Sequence, residues 1–260
     1  MSSSEKRLSI LGHVAELRKR LTRSVIAVSI TTILSFIFYH QIFDILTYKS
    51  PFVKKIFDFL DYRFQLLTPP DVNLVFIDMT ENIGTIMKIS LVSGIILAMP
   101  YLTYELIMFV SPALTRREKR YVYLVLPWIA LMFVAGVVFG YFIMLPPMFK
   151  FLLSFGSDIA TPQIRIGNYV SIVTRLLLVV GLVFEMPVLL TFLARLGIVQ
   201  AKWLAGKRRA AIIIAFIISA IITPTIDPIN QTIVAAPLII LYEMSIWLAK
   251  LVQRQKVTKN

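Results

Sequence analysis

The amino-acid sequence predicts an all-α membrane protein, a bundle of six transmembrane helices with both termini in the cytoplasm. Three observations lead there. Of the 260 residues 58% are hydrophobic, the mean hydropathy is +0.80, and several uncharged apolar runs approach the ~20 residues that cross a bilayer. Prolines, glycines and charge clusters divide these runs into six, and basic residues gather in alternate connections.

The predicted spans are Leu21 to Tyr39, Thr80 to Val110, Tyr121 to Leu145, Gly167 to Leu196, Ala210 to Ile222 and Gln231 to Val252. Val25 to Tyr39 follows a basic segment as in a signal peptide, but no small-x-small cleavage site comes after it, so it reads as a retained first span. Span five is short. Its 13 residues cover about 20 Å of a hydrocarbon core near 30 Å. Either Arg208 and Arg209 snorkel while neighbouring helices shield its ends, or the bilayer is thinned around spans five and six.

Orientation follows from charge. Lys6, Arg7, Arg18, Lys19, Arg20 and Arg23 precede span one, and Arg116, Arg117, Lys119 and Arg120 follow span two. Arg195, Lys202, Lys207, Arg208 and Arg209 follow span four, and Lys250, Arg254, Lys256 and Lys259 end the chain. The opposite connections hold only Lys49, Lys54, Lys55, Arg63, Lys150 and Arg165, which puts both termini in the cytoplasm. The net charge of +13 is therefore mainly a topology signal with some attraction to anionic headgroups, and no nucleic-acid partner is expected.

No repeat, low-complexity stretch or soluble domain interrupts the chain. It reads as one membrane domain, with residues 1–20 an amphipathic N-terminus, 21–252 the bundle and 253–260 a basic tail. With no cysteine and two histidines at opposite ends of span one, no metal or redox cofactor is expected. The first outer connection holds Phe52, Ile56, Phe59, Leu60, Phe64 and Leu67, an apolar stripe at helical spacing that ends at Pro69 and Pro70 and is expected to lie along the outer surface. The last, TPTIDPIN at 223–230, is a tight turn.

Two cytoplasmic segments combine basic residues with a single acid. SILGHVAELRKRL, residues 9–21, puts Ile10, Val14, Leu17 and Leu21 on one helical stripe and His13, Glu16 and Arg20 on another. It reads as an interfacial helix whose charges face water, or as a binding element, since a topology-setting segment has no need of Glu16. In FVSPALTRREKR, residues 109–120, Pro112 ends span two, Leu114 stands exposed on a tight turn, and Glu118 is alone among four basic residues. Such carboxylates either receive guanidinium groups from a partner by charge-assisted hydrogen bonds or pair with their own arginine neighbours.

HVAELRKRL at 13–21, FVSPALTRRE at 109–118, FEMPV at 184–188, and Asp227 with Gln231 four residues later resemble the TatC family, the multispanning receptor subunit of the twin-arginine protein translocase. The resemblance extends over nearly the whole chain. It implies a concave, glove-like bundle in the inner membrane of a prokaryote, without enzymatic activity. The implied role is to carry folded proteins across the membrane on the proton motive force, binding signal peptides that bear paired arginines. It also implies single-span partner subunits of the TatA and TatB type and an oligomeric receptor complex. By position, Glu16 and Glu118 would bind the signal's arginines, with Leu17, Arg18, Phe109, Pro112 and Leu114 shaping that site. Glu185 would be the intramembrane polar residue that meets partner helices, and Asp227 and Gln231 the outer turn of spans five and six. TPTID carries one residue more than the family's usual TPPD.

Glu185 also stands out without the resemblance. It lies ten residues, about 15 Å of helix, before Arg195, inside the hydrocarbon, where an ionised carboxylate costs several kcal/mol unless paired or hydrated. Pro187 frees the carbonyl of Val183 beside it and is expected to bend the helix. The plainer alternative is a neutral acid bonded to a neighbouring span's hydroxyl. Lys88 and Glu105 lie towards the ends of span two and can snorkel, whereas Arg175 and Glu243 lie within spans four and six. A proton-coupled secondary transporter would use Glu185, Arg175 and Glu243 as relay or substrate sites. The sequence lacks the inverted repeat and paired broken helices common in such folds. An intramembrane hydrolase would need a metal motif or a histidine near a membrane acid, and neither is present.

Overall fold

The computed structural model describes residues 10–64, 74–110, 116–155, 163–223 and 227–257. Helix α1 (Ile10–Ile37) is followed by α2 (Tyr39–Leu46) and α3 (Pro51–Phe64), a short strand β1 (Leu74–Val75), then α4 (Met79–Val110) and α5 (Arg116–Phe139). A π-helical turn (Gly140–Met144) joins α5 to α6 (Leu145–Ser154). After β2 (Ile164–Arg165) come α7 (Ile166–Leu196), α8 (Ala201–Gly206), α9 (Arg208–Ile222) and α10 (Pro228–Val257).

Five helical segments are long and apolar enough to cross a membrane: Val14–Ile37, Met79–Phe109, Val125–Ser154, Ile166–Leu196 and Pro228–Gln253. Predicted span five is α9, whose 15 residues extend about 22 Å. Its Ile213, Ile214, Ile217 and Ile221 are exposed, as are Val25, Ile30, Ile33 and Ile37 of α1. Such surface suits contact with lipid tails, which are as apolar as the side chains themselves.

Several boundaries differ from the sequence expectation. α1 runs unbroken through the expected junction at residues 20 and 21, and α10 continues past residue 253 to Val257. Cations at a helix C-terminus complement its dipole, which favours extending α10 into the basic tail. The third span also continues beyond Leu145. Pro146 and Pro147 lack the amide donors that a continuous α-helix would require. The π-turn precedes them, with Leu145 N–H donating to the Gly140 carbonyl, and the prolines then occupy the opening turn of α6, where donors are dispensable.

Helix α7 is central: it packs against α4, α5 and α10, while α1 packs chiefly along α4 and α9 along α10. Close approach at two crossings depends on glycine. A Cβ at Gly94 of α4 would lie 2.6 Å from the Thr32 Cα of α1, and one at Gly136 of α5 would lie 2.9 Å from the Gly181 Cα of α7. At the first crossing Thr31 Oγ1 donates to the Gly94 carbonyl at 2.8 Å. Small residues allow such contacts in lipid, where packing and hydrogen bonding replace the hydrophobic drive between helices.

The first connection is anchored by tyrosines. Tyr169 donates its hydroxyl to the Leu46 carbonyl at 2.7 Å, Tyr48 to the Tyr141 carbonyl at 3.3 Å, and Tyr141 to the Ile45 carbonyl. The face of α3 that packs inward is formed by Val53 and Phe57; Phe52, the first residue of the apolar stripe expected along the outer surface, is 71% exposed. Phe57 instead stacks edge-on against Tyr48, with ring centroids 5.0 Å apart, and aromatic contact there outcompetes the stripe. The side chains of Phe59, Leu60 and Phe64, and all of Leu67, lie outside the description.

The hydropathy pattern predicts no strand. β1 and β2 pair in parallel, Leu74 with Ile164 and Val75 with Arg165, a two-residue bridge too short to leave a periodic signal. Arg165 then reaches Asp78 at 2.8 Å and Glu81 at 3.3 Å. The hydrogen bond to Glu81 is the leading cause that holds the Arg165 guanidinium above its usual pKa.

Candidate functional site

Two carboxylates from different helices meet on one guanidinium. Glu16 and Arg20 lie one turn apart on α1, so their side chains share a face. Nε and Nη2 of Arg20 both donate to Oε1 of Glu16, at 3.1 and 2.7 Å, while Nη1 donates to Oε2 of Glu105 on α4 at 2.8 Å. The other Glu105 oxygen accepts the Tyr101 hydroxyl at 2.8 Å and lies 4.0 Å from Nη1 of Arg23. Glu105 is only 3% exposed. Removing one member of so enclosed a pair typically costs about 3–5 kcal/mol, because the other charge is left buried and uncompensated.

A cleft of about 430 Å³ adjoins this cluster. Leu17, Leu21, Met99, Leu106, Phe109 and Leu189 give it apolar walls, and its polar lining comes from Arg20, Thr103, Glu105 and Glu185. Glu185 is buried in α7, with Oε1 3.2 Å from the Thr103 hydroxyl of α4. The contact is with a hydroxyl of a neighbouring span, which donates to the carboxyl oxygen. Pro187, two residues on, falls on the opposite helix face and lines a separate apolar groove with Val125, Trp128 and Leu248. The proline is therefore not part of the wall of the Glu185 cleft.

The remaining sequence candidates divide clearly. Leu17 and Phe109 line the cleft, whereas Arg18 faces out from α1. Glu118 lies in the first turn of α5, with its side chain outside the description, and Pro112 and Leu114 fall outside the described residues altogether. Asp227 and Gln231 are not part of the cleft. Asp227 caps α10: its Oδ1 accepts the Asn230 amide at 2.6 Å, three residues on, and its Oδ2 accepts the Asn230 side chain at 3.1 Å. The Gln231 carbonyl accepts the Ser219 hydroxyl at 2.6 Å, tying α10 to α9.

Other charges in or near the spans have partners. Lys88 donates to Ser171 Oγ at 2.7 Å, and Arg175 donates to the Ile221 carbonyl at 2.8 Å, in the last turn of α9 where carbonyls lack helical donors. Arg208 forks onto both oxygens of Glu243 at 2.6 and 3.0 Å. In the sequence Glu105 reads as an end charge that can snorkel, and Thr103 carries no signal of its own. The usable signal was YLTYE, residues 101–105, which puts Tyr101 and Glu105 one turn apart.

The sequence matches, over residues 12–237, the family described as Sec-independent protein translocase protein (TatC). The chain belongs to the TatC family. Among curated TatC proteins, that of Carboxydothermus hydrogenoformans is 37% identical over 253 residues, covering 96% of each chain. That of Aquifex aeolicus is 39% identical over 251 residues, covering 96% of this chain and 98% of the relative. The fold also matches a crystal structure of the twin-arginine translocase receptor TatC with a TM-score of 0.75, at 37% identity over 93% of this chain and 99% of the other. A second crystal structure of that receptor, in DDM, gives a TM-score of 0.77 over 91% and 99%. TatC is a family of protein translocase receptor components and not of enzymes. Membership, together with five long apolar helices, makes this chain a multi-pass membrane protein of a Sec-independent translocase.

Proposed function

We propose that this TatC-family chain is the signal-binding core of a twin-arginine translocase, placed in the inner membrane of a prokaryote with both termini cytoplasmic. The observation that carries the reading is the pair of carboxylates, Glu16 and Glu105, closing on one guanidinium beside an apolar cleft. Carboxylates select arginine by planar, charge-assisted hydrogen bonds, and an apolar wall suits the segment that follows paired arginines in a signal peptide. In this reading Glu118, in the first turn of α5, contributes a further acid, and Leu17, Arg18, Phe109, Pro112 and Leu114 complete the residues that recognise the signal. The basic residues flanking alternate spans support the cytoplasmic placement.

Once the signal is bound, its apolar segment runs along the cleft towards Glu185. Single-span subunits of the TatA and TatB type gather at that polar surface, in an oligomeric receptor complex that moves folded cargo on the proton motive force. The chain acts by binding and scaffolding. Arg175 and Glu243, the charges a proton-coupled solute transporter would use, are held by a helix-end carbonyl and by Arg208.

A transport assay tests this reading. Cells that produce the single-span subunits and this chain should export a folded reporter behind a paired-arginine signal and retain it behind a paired-lysine signal. Uptake of a small solute dependent on Glu185, with no export of either reporter, would contradict it.

A further inference from the structure

Arg20 is the common wall of two open spaces. The apolar cleft lies on one side, and a polar depression of about 360 Å³ lined by Ala15, Glu16, Lys19, Arg20 and Arg23 lies on the other. Its guanidinium bridges the two helices that flank them, α1 through Glu16 and α4 through Glu105. A group of this shape, charge and hydrogen-bonding pattern is what an incoming arginine would present. Two carboxylates share one partly enclosed arginine, and Arg23, 4.0 Å from Glu105 with its side chain half exposed, is the next cation to Glu105.

We infer that Arg20 is a built-in stand-in for a signal arginine, that Glu105 is a further arginine-receiving residue of the site, and that signal binding exchanges the internal guanidinium for an external one. The inference rests on the receptor reading above. Exchange is feasible because both partners of Arg20 are carboxylates that remain paired after the swap, so neither charge is left buried and alone. Arg20 is then released along its flexible stem into the polar depression. The internal contact keeps the site closed to single cations: one lysine supplies a point charge without the planar fork and cannot replace the bridge between two acids. An arginine pair can satisfy both.

The experiment compares binding of a synthetic paired-arginine signal peptide, and its paired-lysine counterpart, to the full-length chain in membranes. The variants are Arg20→Gln, Glu105→Gln and both together. Removing the internal competitor should tighten paired-arginine binding about fivefold in Arg20→Gln, while Glu105→Gln weakens it about tenfold. The double variant should lose the gain of Arg20→Gln, since the vacated acceptor is gone. Weaker or unchanged binding by a normally folded Arg20→Gln protein overturns the exchange and leaves a simple α1–α4 clasp, as does a gain that survives Glu105→Gln. If Arg20→Gln does not accumulate, Arg20→Lys keeps the charge without the fork and should tighten binding about twofold; no gain there also overturns the proposal. Equal affinity of the unaltered chain for both peptides is a different failure: it removes the receptor reading and the exchange with it.

Discussion

Thr103 Oγ1 on α4 lies 3.2 Å from Oε1 of Glu185 on α7 and 3.0 Å from the carbonyl of Met99. One hydroxyl proton cannot serve both acceptors. A carboxamide at position 185 can donate to Thr103 while Thr103 donates to Met99, so Glu185→Gln should retain both assembly and reporter export. Glu185→Ala leaves a gap and an unpaired hydroxyl edge, and should reduce both. Loss of export in a Glu185→Gln protein that still assembles would show that charge at this position is required.

The α1–α4 crossing depends on the absence of a side chain at Gly94. Gly94→Ala brings a Cβ within 2.4 Å of Thr32 Oγ1 and 2.6 Å of its Cα, so backbone has to shift. The expected loss is about 1–3 kcal/mol, read as a lower unfolding temperature in detergent. Gly84→Ala on the same helix meets nothing within 4 Å and should match the unaltered chain or exceed it slightly.

Near the start of α4, the Glu81 carboxylate accepts the Ile77 and Gly167 amides at 3.1 and 3.2 Å as well as Arg165, whereas the Asp78 side chain, 65% exposed, contacts Arg165 alone among the described residues. Glu81→Ala should therefore lower the unfolding temperature more than Asp78→Ala, whose exposed ion pair contributes little. Equal effects would mean that the amide contacts are unimportant.

Asp227 caps α10 through the Asn230 amide. Asp227→Asn keeps a capping oxygen and should be nearly neutral, while Asp227→Ala should cost about 1 kcal/mol of stability. Thermal unfolding of the two variants distinguishes this local role from one that depends on the acid's charge.

Periodicity and charge made much of this molecule legible. The apolar runs became α1, α4, α5 with α6, α7 and α10, because burial in lipid demands long, internally bonded helices. Glu185 was identifiable as an enclosed acid for the same reason. What could not be read were pairings between distant segments. Arg20 and Glu105 are 85 positions apart, and a single sequence assigns Glu105 to a helix end where a charge ordinarily snorkels. The Val53 and Phe57 face of α3 was hidden because Phe52 and Ile56 are equally apolar, and Tyr48 and Tyr141 decide between them. The π-turn was masked by the continuous hydrophobicity of GYFIMLPP, residues 140–147.

Signal-peptide affinity tests the receptor role most directly. Membranes holding the unaltered chain, Glu16→Ala or Glu118→Ala are titrated with peptides bearing paired arginines or paired lysines. A preference for paired arginines of about tenfold or more is expected in the unaltered chain, reduced or lost in both variants. Equal binding of both peptides by all three proteins would contradict it.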